Sequence, residues 1–233
     1  MKIPNHIGII CDGNRRFAST IGEELWKGHE YGADKIEEVI DWCQELGIDI
    51  LTLWLFSTEN FNRPEIEKAQ LFRIAKELAG NFLKNPKVHE NKIKLSIIGD
   101  LAQFPDDVQE EVNKIVDATK DYDGFLLNIA VGYGGKQEIL VCVKHIAKLV
   151  AEGKLKPDEI TEEFLEANMY SHIVPDVDLV IRTSGEQRTS GFLIWKTDYA
   201  EYYFCEKFWP EFTKEDLMKA ILSYSERQRR FGK

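Results

Sequence analysis

The feature that most constrains this chain is a series of short, near-continuous apolar runs rich in Ile, Val and Leu. They are Ile7–Cys11, Ile50–Phe56, Ile93–Gly99, Phe125–Val131 and Leu179–Arg182, with Phe192–Trp195 as a further candidate. Strands that are apolar at nearly every position, rather than at alternate ones, have both faces buried. Parallel strands meet that condition when the connections between them are helices that cover the sheet. The intervening stretches supply such helices. Ala33, Ile36, Val39, Ile40, Cys43 and Leu46 make one apolar face, with Lys35, Glu37, Glu38, Asp41 and Glu45 on the remainder. Pro64 opens a second helix, whose apolar face is Leu71, Phe72, Ile74, Ala75, Leu78 and Phe82. Pro105-Asp106-Asp107 starts a third, Gly134–Val150 makes a fourth and Thr161–Met169 a fifth. A last helix follows an N-cap at Thr213, with Asp216 three residues on, and runs toward Phe231. No repeat, low-complexity tract or linker divides the chain. The expectation is a single α/β domain over 1–233, a mostly parallel sheet of about six strands flanked by helices.

Charge and composition exclude several functions. With 233 residues and a formal net charge of −10, the chain is a poor partner for nucleic acid, whose phosphates it would repel. The four cysteines (Cys11, Cys43, Cys142, Cys205) form no C-x-x-C pair and have no histidine at zinc-ligand spacing. Three of them lie in apolar runs and read as small core residues, which implies a reducing, cytoplasmic setting. No apolar segment approaches the ~18 residues of a membrane span, which leaves lipid contact only at the surface or through a substrate.

In open parallel sheets, ligands sit beyond the carboxyl ends of the strands. The segments at those ends are 11–16, 56–64, 99–100, 132–135 and 182–191. Together they bring Asp12 to one sheet edge with Arg15, Arg16, Arg63, Arg182 and Arg188. Arginines converging with a carboxylate suit a diphosphate and a divalent metal. Taken alone, Asp12-Gly13-Asn14 reads equally as a phosphate cradle or as a plain strand-to-helix turn. Gly132-Tyr-Gly-Gly135 fits neither nucleotide-binding glycine pattern and reads as such a turn. Asp106-Asp107 reads as helix-capping acid rather than as a metal motif. His29, His89 and His172 are far apart in sequence, and His29 is open to both a surface and a phosphate-binding reading. Glu201 stands out within the aromatic cluster Trp195–Trp209, where a carboxylate needs a cation, a metal or solvent.

As a set, these residues resemble the cis-prenyltransferases of the undecaprenyl diphosphate synthase type, over nearly the whole chain. The resemblance is carried by His6–Asn14, Gly28-His29, Phe56–Pro64, Ile98-Gly-Asp100, Asn128–Gly135, Asp178–Glu186, Arg188, Ser190, Ala200-Glu201 and the tail Arg229–Gly232. It implies condensation of isopentenyl diphosphate onto an allylic prenyl diphosphate with formation of Z double bonds. It also implies Mg²⁺ as cofactor, a homodimer and a hydrophobic tunnel for the growing chain. Carried over by position, Asp12 would be the essential, Mg²⁺-binding acid and Glu201 a second metal ligand near the dimer interface. Gly13, Asn14, Arg15, Arg16, Phe17 and His29 would bind the allylic diphosphate. Arg182, Arg188, Thr189 and Ser190 would bind isopentenyl diphosphate. Ser57, Thr58, Glu59, Asn60, Phe61 and Arg63 would line the reacting centre, where the family often gives Asn60 the departing proton. A neutral amide is a poor base, so Asn60 reads instead as positioning a phosphate oxygen or a water. The tail 230–232 would reach the partner's site. The helix after Pro64 would line the tunnel, with Phe72 or Phe82 setting product length.

The sequence departs from the family pattern at Arg15 and Phe17, at Leu25 (with Lys27 close by as a substitute cation), and at Ser184, Gln187 and Gly191. The departures at Leu25, Gln187 and Gly191 keep open a same-fold enzyme that makes irregular linkages or uses another acceptor. A non-catalytic partner subunit is the rival from another class.

Overall fold

The computed structural model describes residues 2–227. Six strands form one all-parallel sheet: β1 (His6–Ile10), β2 (Ile50–Ser57), β3 (Ile93–Ile98), β4 (Phe125–Tyr133), β5 (Leu179–Arg182) and β6 (Glu201–Phe204). Their spatial order is β3-β4-β2-β1-β5-β6, which places β1 and β2 centrally. The helices are α1 (Asn14–Thr20), α2 (Lys27–Glu45), α3 (Glu65–Phe82), α4 (Pro86–Glu90), α5 (Asp106–Thr119), α6 (Gly135–Ala151), α7 (Glu162–Ala167) and α8 (Lys214–Glu226). Among the described residues no helix is long and apolar enough to cross a membrane.

Alternating side chains of each strand go to two different cores. Ile7, Ile9, Leu51, Leu53 and Leu127 pack with α2, α5 and α8 through residues such as Val39, Val112 and Leu217. Ile10, Trp54, Ala130 and Val180 face the other side, against Val174, Val177, Phe192 and Leu193. Much of that second cover is therefore irregular chain. α6 and α7 form a smaller satellite through Cys142, Ile146 and Met169.

Two sequence expectations need correction. Phe192–Trp195 is not a strand: Ser190, Gly191 and Leu193 have φ of 51°, 89° and 42°. Those values belong to the left-handed region, and extended chain cannot pass through it. The sixth strand is Glu201–Phe204 instead. The last helix stops at Glu226, where Arg227 turns to φ −88°, ψ 145°. The tail 229–232 lies outside the described residues. Thr213 does cap α8, with the Asp216 side chain returning to its backbone. Asp106 and Asp107 do open α5, and Asp107 pairs with Lys76 at 2.7 Å.

Candidate active site

The C-terminal ends of β1, β2 and β5 surround a polar cavity of about 730 Å³. At its centre Asp12, two residues past β1, accepts hydrogen bonds from Arg182 at 2.8 Å and Arg16 at 3.3 Å. Burial pushes the Asp12 carboxyl up, but the two guanidiniums outweigh it and hold the group below the ordinary carboxylate range. The backbone of Asp12 is fixed as well. Its N–H donates to Thr183 Oγ1 at 2.9 Å, and its carbonyl accepts from the Thr183 hydroxyl at 2.7 Å and from Trp209 N–H at 2.9 Å.

Gly13 makes the turn into α1 possible. Its φ is +103°, and a Cβ there would lie 2.7 Å from the Phe208 ring and 3.0 Å from Ser184 Cβ. Gly28 serves a comparable purpose between α1 and α2, because a Cβ would sit 1.9 Å from the carbonyl oxygen of Asn14. Only glycine lets the two helices cross this closely, and the crossing brings His29 into the cavity wall.

The last residue of β5 organises the opposite loop. Arg182 is 5% exposed, and its guanidinium donates to Ser190 Oγ at 2.8 Å and to the carbonyl of Arg188. It thereby ties the 188–190 loop to Asp12. Arg16 extends the network to Ser184 Oγ at 2.7 Å and Glu186 at 2.9 Å, and Glu186 also pairs with Arg188. On the α3 side, Arg63 pairs with Glu67 at 2.9 Å and lies 3.0 Å from His29 Nε2. Desolvation lowers the His29 pKa, with Arg63 adding to the effect and Glu67 opposing it.

The cavity lining brings together Asp12, Gly13, Asn14, Arg15, Arg16, His29, Ser57, Glu59, Asn60, Arg63, Arg182 and Ser190, as well as Leu25. Asn60 has its Oδ1 occupied by the Ser57 N–H at 2.9 Å, leaving its amide NH₂ for a ligand. Phe17, Thr58, Phe61, Arg188 and Thr189 stand outside the lining. Phe61 packs against Phe56 and Phe104, and Phe17 against Tyr31. Lys27 pairs with Glu23 at 2.6 Å and does not replace the missing cation. Glu201 pairs with Leu179 in the sheet register, at the other end of β5 from Arg182. It lies five residue levels below Asp12, roughly 16 Å at the strand rise of ~3.3 Å, and pairs with Arg227 at 2.8 Å. Within one chain it shares no site with Asp12.

Residues that sequence reasoning did not single out include Thr183, which holds the Asp12 backbone, and Glu67. The signal for Glu67 was its i,i+4 spacing from Arg63.

A second, apolar cavity of about 160 Å³ adjoins the polar one, and Cys11, Asn14, His29, Leu55 and Phe56 line both. Its walls include Leu71, Ile74, Leu78 and Phe82 of α3. Phe72 is not among them, because its ring packs on Phe104 at 5.2 Å between centroids.

A family described as "Putative undecaprenyl diphosphate synthase" matches residues 10–232. The chain belongs to this family of cis-prenyltransferases. It is a prenyl-transferring enzyme by that membership. A tritrans,polycis-undecaprenyl-diphosphate synthase (geranylgeranyl-diphosphate specific) of Methanopyrus kandleri is 45% identical over 232 residues, covering 100% of this chain and 86% of the relative. Among solved structures, lavandulyl diphosphate synthase from Lavandula x intermedia, in complex with dimethylallyl diphosphate, superposes with a TM-score of 0.94 at 35% identity, covering 99% of each chain. A probable undecaprenyl diphosphate synthase from Campylobacter jejuni gives 0.80 at 32% identity, covering 100% of each.

Proposed function

We propose that this prenyltransferase condenses isopentenyl diphosphate with an allylic prenyl diphosphate to give a Z-polyprenyl diphosphate. The observation that carries this reading is the join between an Asp12-centred set of arginines and an apolar cavity walled by α3. An amphiphile with a diphosphate head and an isoprenoid tail fits across that boundary. The relative named as geranylgeranyl-diphosphate specific supports geranylgeranyl diphosphate as the primer.

The donor set fits Mg²⁺ as a site that substrate completes. Mg²⁺ is commonly held by one or two carboxylates together with substrate phosphates, and Asp12 offers an ionised carboxylate inside the polar cavity. The strand register separates Glu201 from Asp12 within one chain, so Glu201 would join Asp12 only from a second copy of the chain. When bound, the ion would neutralise charge on the departing diphosphate. The protein's own part is electrostatic and positional. Arg16, Arg63 and His29 hold the leaving diphosphate, while Arg182 and Ser190 hold the other substrate so that its alkene faces the allylic carbon. The amide of Asn60 orients an oxygen beside the reacting centre.

A homodimer belongs to the same reading. α6 leaves Leu140, Val141 and Val143 exposed at 45%, 37% and 49%, with Ile194 of the neighbouring loop at 39%. Exposed apolar side chains grouped on one helix support an interface there.

The test is incubation with Mg²⁺, labelled isopentenyl diphosphate and, separately, dimethylallyl, geranyl, farnesyl or geranylgeranyl diphosphate, with products read by mass spectrometry. Chain elongation with alkaline-phosphatase-sensitive products is expected. Folded protein that incorporates label with none of the primers would remove the reading. A second reading, irregular coupling of two small allylic units, is favoured by the TM-score of 0.94 to lavandulyl diphosphate synthase. It predicts a product from dimethylallyl diphosphate alone.

A further inference from the structure

Glu67 lies in the first turn of α3 and is 7% exposed. Its Oε1 is a meeting point for groups from three parts of the chain: Arg63 Nη1 at 2.9 Å, Arg15 Nε at 3.5 Å and His29 Nε2 at 3.6 Å. All three of those residues line the polar cavity, and Glu67 does not. The pairing holds the Glu67 carboxyl below its ordinary range, chiefly through the His29 contact and then the two arginines, against the opposing effect of burial. A buried carboxylate outside the ligand space, gripped by three groups inside it, is placed to set their direction. On the same helix, Leu71, Ile74 and Leu78 follow at roughly one-turn intervals, and they line the apolar cavity.

We propose that Glu67 is a positioning residue for prenyl transfer. It aims Arg15, Arg63 and His29 as one set at the substrate diphosphate, and it fixes α3, the wall of the apolar cavity, in register with that set. The inference rests on the prenyl-transfer reading and deepens it. Arg15 gains its role here, since the only ion pair it makes among the described residues is with Glu67. The arrangement has a consequence that ordinary structural support lacks. Glu67 and a diphosphate are both anions drawing on the same cations, so removing the Glu67 charge strengthens diphosphate binding while it loosens the geometry that catalysis needs.

Glu67→Gln and Glu67→Asp test this by two routes: binding of inorganic pyrophosphate by calorimetry, and kcat and KM for the allylic substrate. E67Q is expected to bind pyrophosphate roughly three- to tenfold more tightly and to lose roughly 10²-fold in kcat, both measured well below its melting transition. E67D, which keeps the charge, is expected to recover part of kcat and near-native pyrophosphate affinity. Pyrophosphate affinity unchanged or weaker in E67Q, or kcat lost only in step with folded protein in both variants, overturns the proposal. Wild-type protein without turnover on any primer removes the prenyl-transfer reading instead. The pyrophosphate comparison would still report whether Glu67 governs the cation set.

Discussion

Arg182→Lys puts the centre of the site under test. The buried guanidinium joins two parts of the site, Asp12 Oδ2 at 2.8 Å on one side and Ser190 Oγ at 2.8 Å with the Arg188 carbonyl on the other. A lysine ammonium is a single point donor and cannot reproduce the guanidinium fork. It will keep the Asp12 contact, where charge attraction is strongest, and release the 188–190 loop. Hydrogen bonds to a charged group contribute about 1.5–3 kcal/mol each, so losing two costs on the order of 3–6 kcal/mol. At about 2–4 °C per kcal/mol for a domain of this size, the melting temperature should fall by roughly 10 °C. Turnover should fall further than stability suggests, by about 10²–10³-fold, because a displaced loop no longer presents Ser190 to a substrate. Scanning calorimetry and incorporation of labelled isopentenyl diphosphate, run below the lowered transition, measure the two effects separately. R182K turnover within about threefold of wild type, a difference of under 1 kcal/mol in the barrier, would refute the argument that Arg182 works by bridging.

Phe82→Ala should lengthen products, since Phe82 lines the apolar cavity. Phe72→Ala should instead cost stability without changing the product ladder, because its ring belongs to the Phe56–Phe104 cluster. Mass spectra of products from both variants decide. His6 is buried at 1% exposure, and burial lowers its pKa from 6.5 to about 4. The unfolded chain then binds the extra proton between those values, so stability is full above about pH 6.5 and declines as pH falls toward 4. The loss is about 3 kcal/mol at 1.36 kcal/mol per unit. Urea titrations from neutral to mildly acid pH should show that slope in wild type and a flatter one in His6→Gln, and equal slopes would sink the assignment. On the proposed homodimer, Val143→Lys should give a monomer by light scattering, and a mass unchanged from wild type would remove α6 from the proposed interface.

The sheet was legible because five of its strands are buried at most positions and therefore read as near-continuous apolar runs. The sixth was not. Glu201-Tyr-Tyr-Phe204 is half-buried throughout, as an edge strand is, and its composition resembles an aromatic cluster more than a core strand. Phe192 and Leu193 misled for the converse reason. They are as buried as any strand, at 1% and 0% exposure, but in a turn beneath the sheet. Apolar composition reports burial and leaves the backbone path open. In the site, Asp12 and Arg182 were legible because they stand at the carboxyl ends of two neighbouring apolar strands, β1 and β5. Glu67 was not, since Arg63 and Glu67 four residues apart look like any exposed helix pair. Its burial comes from Arg15 and His29, which reach it from α1 and α2.

What joins the two cavities is a local irregularity in β2. Successive side chains of a regular strand point to opposite faces, so Leu55 and Phe56 should serve different compartments. Both line both cavities. The pairing of β2 with β4 shifts register between Trp54 and Phe56 and again between Phe56 and Ser57. A bulge of this kind re-aims a side chain and bends the strand. Here it turns two adjacent apolar residues toward the junction, and Ser57 with Asn60 follows immediately on the polar side. The boundary between diphosphate and hydrocarbon thus falls at the end of a central strand, beside Asp12. Prenyl transfer demands that placement, because the carbon that reacts is the one joining the charged head of the primer to its apolar tail.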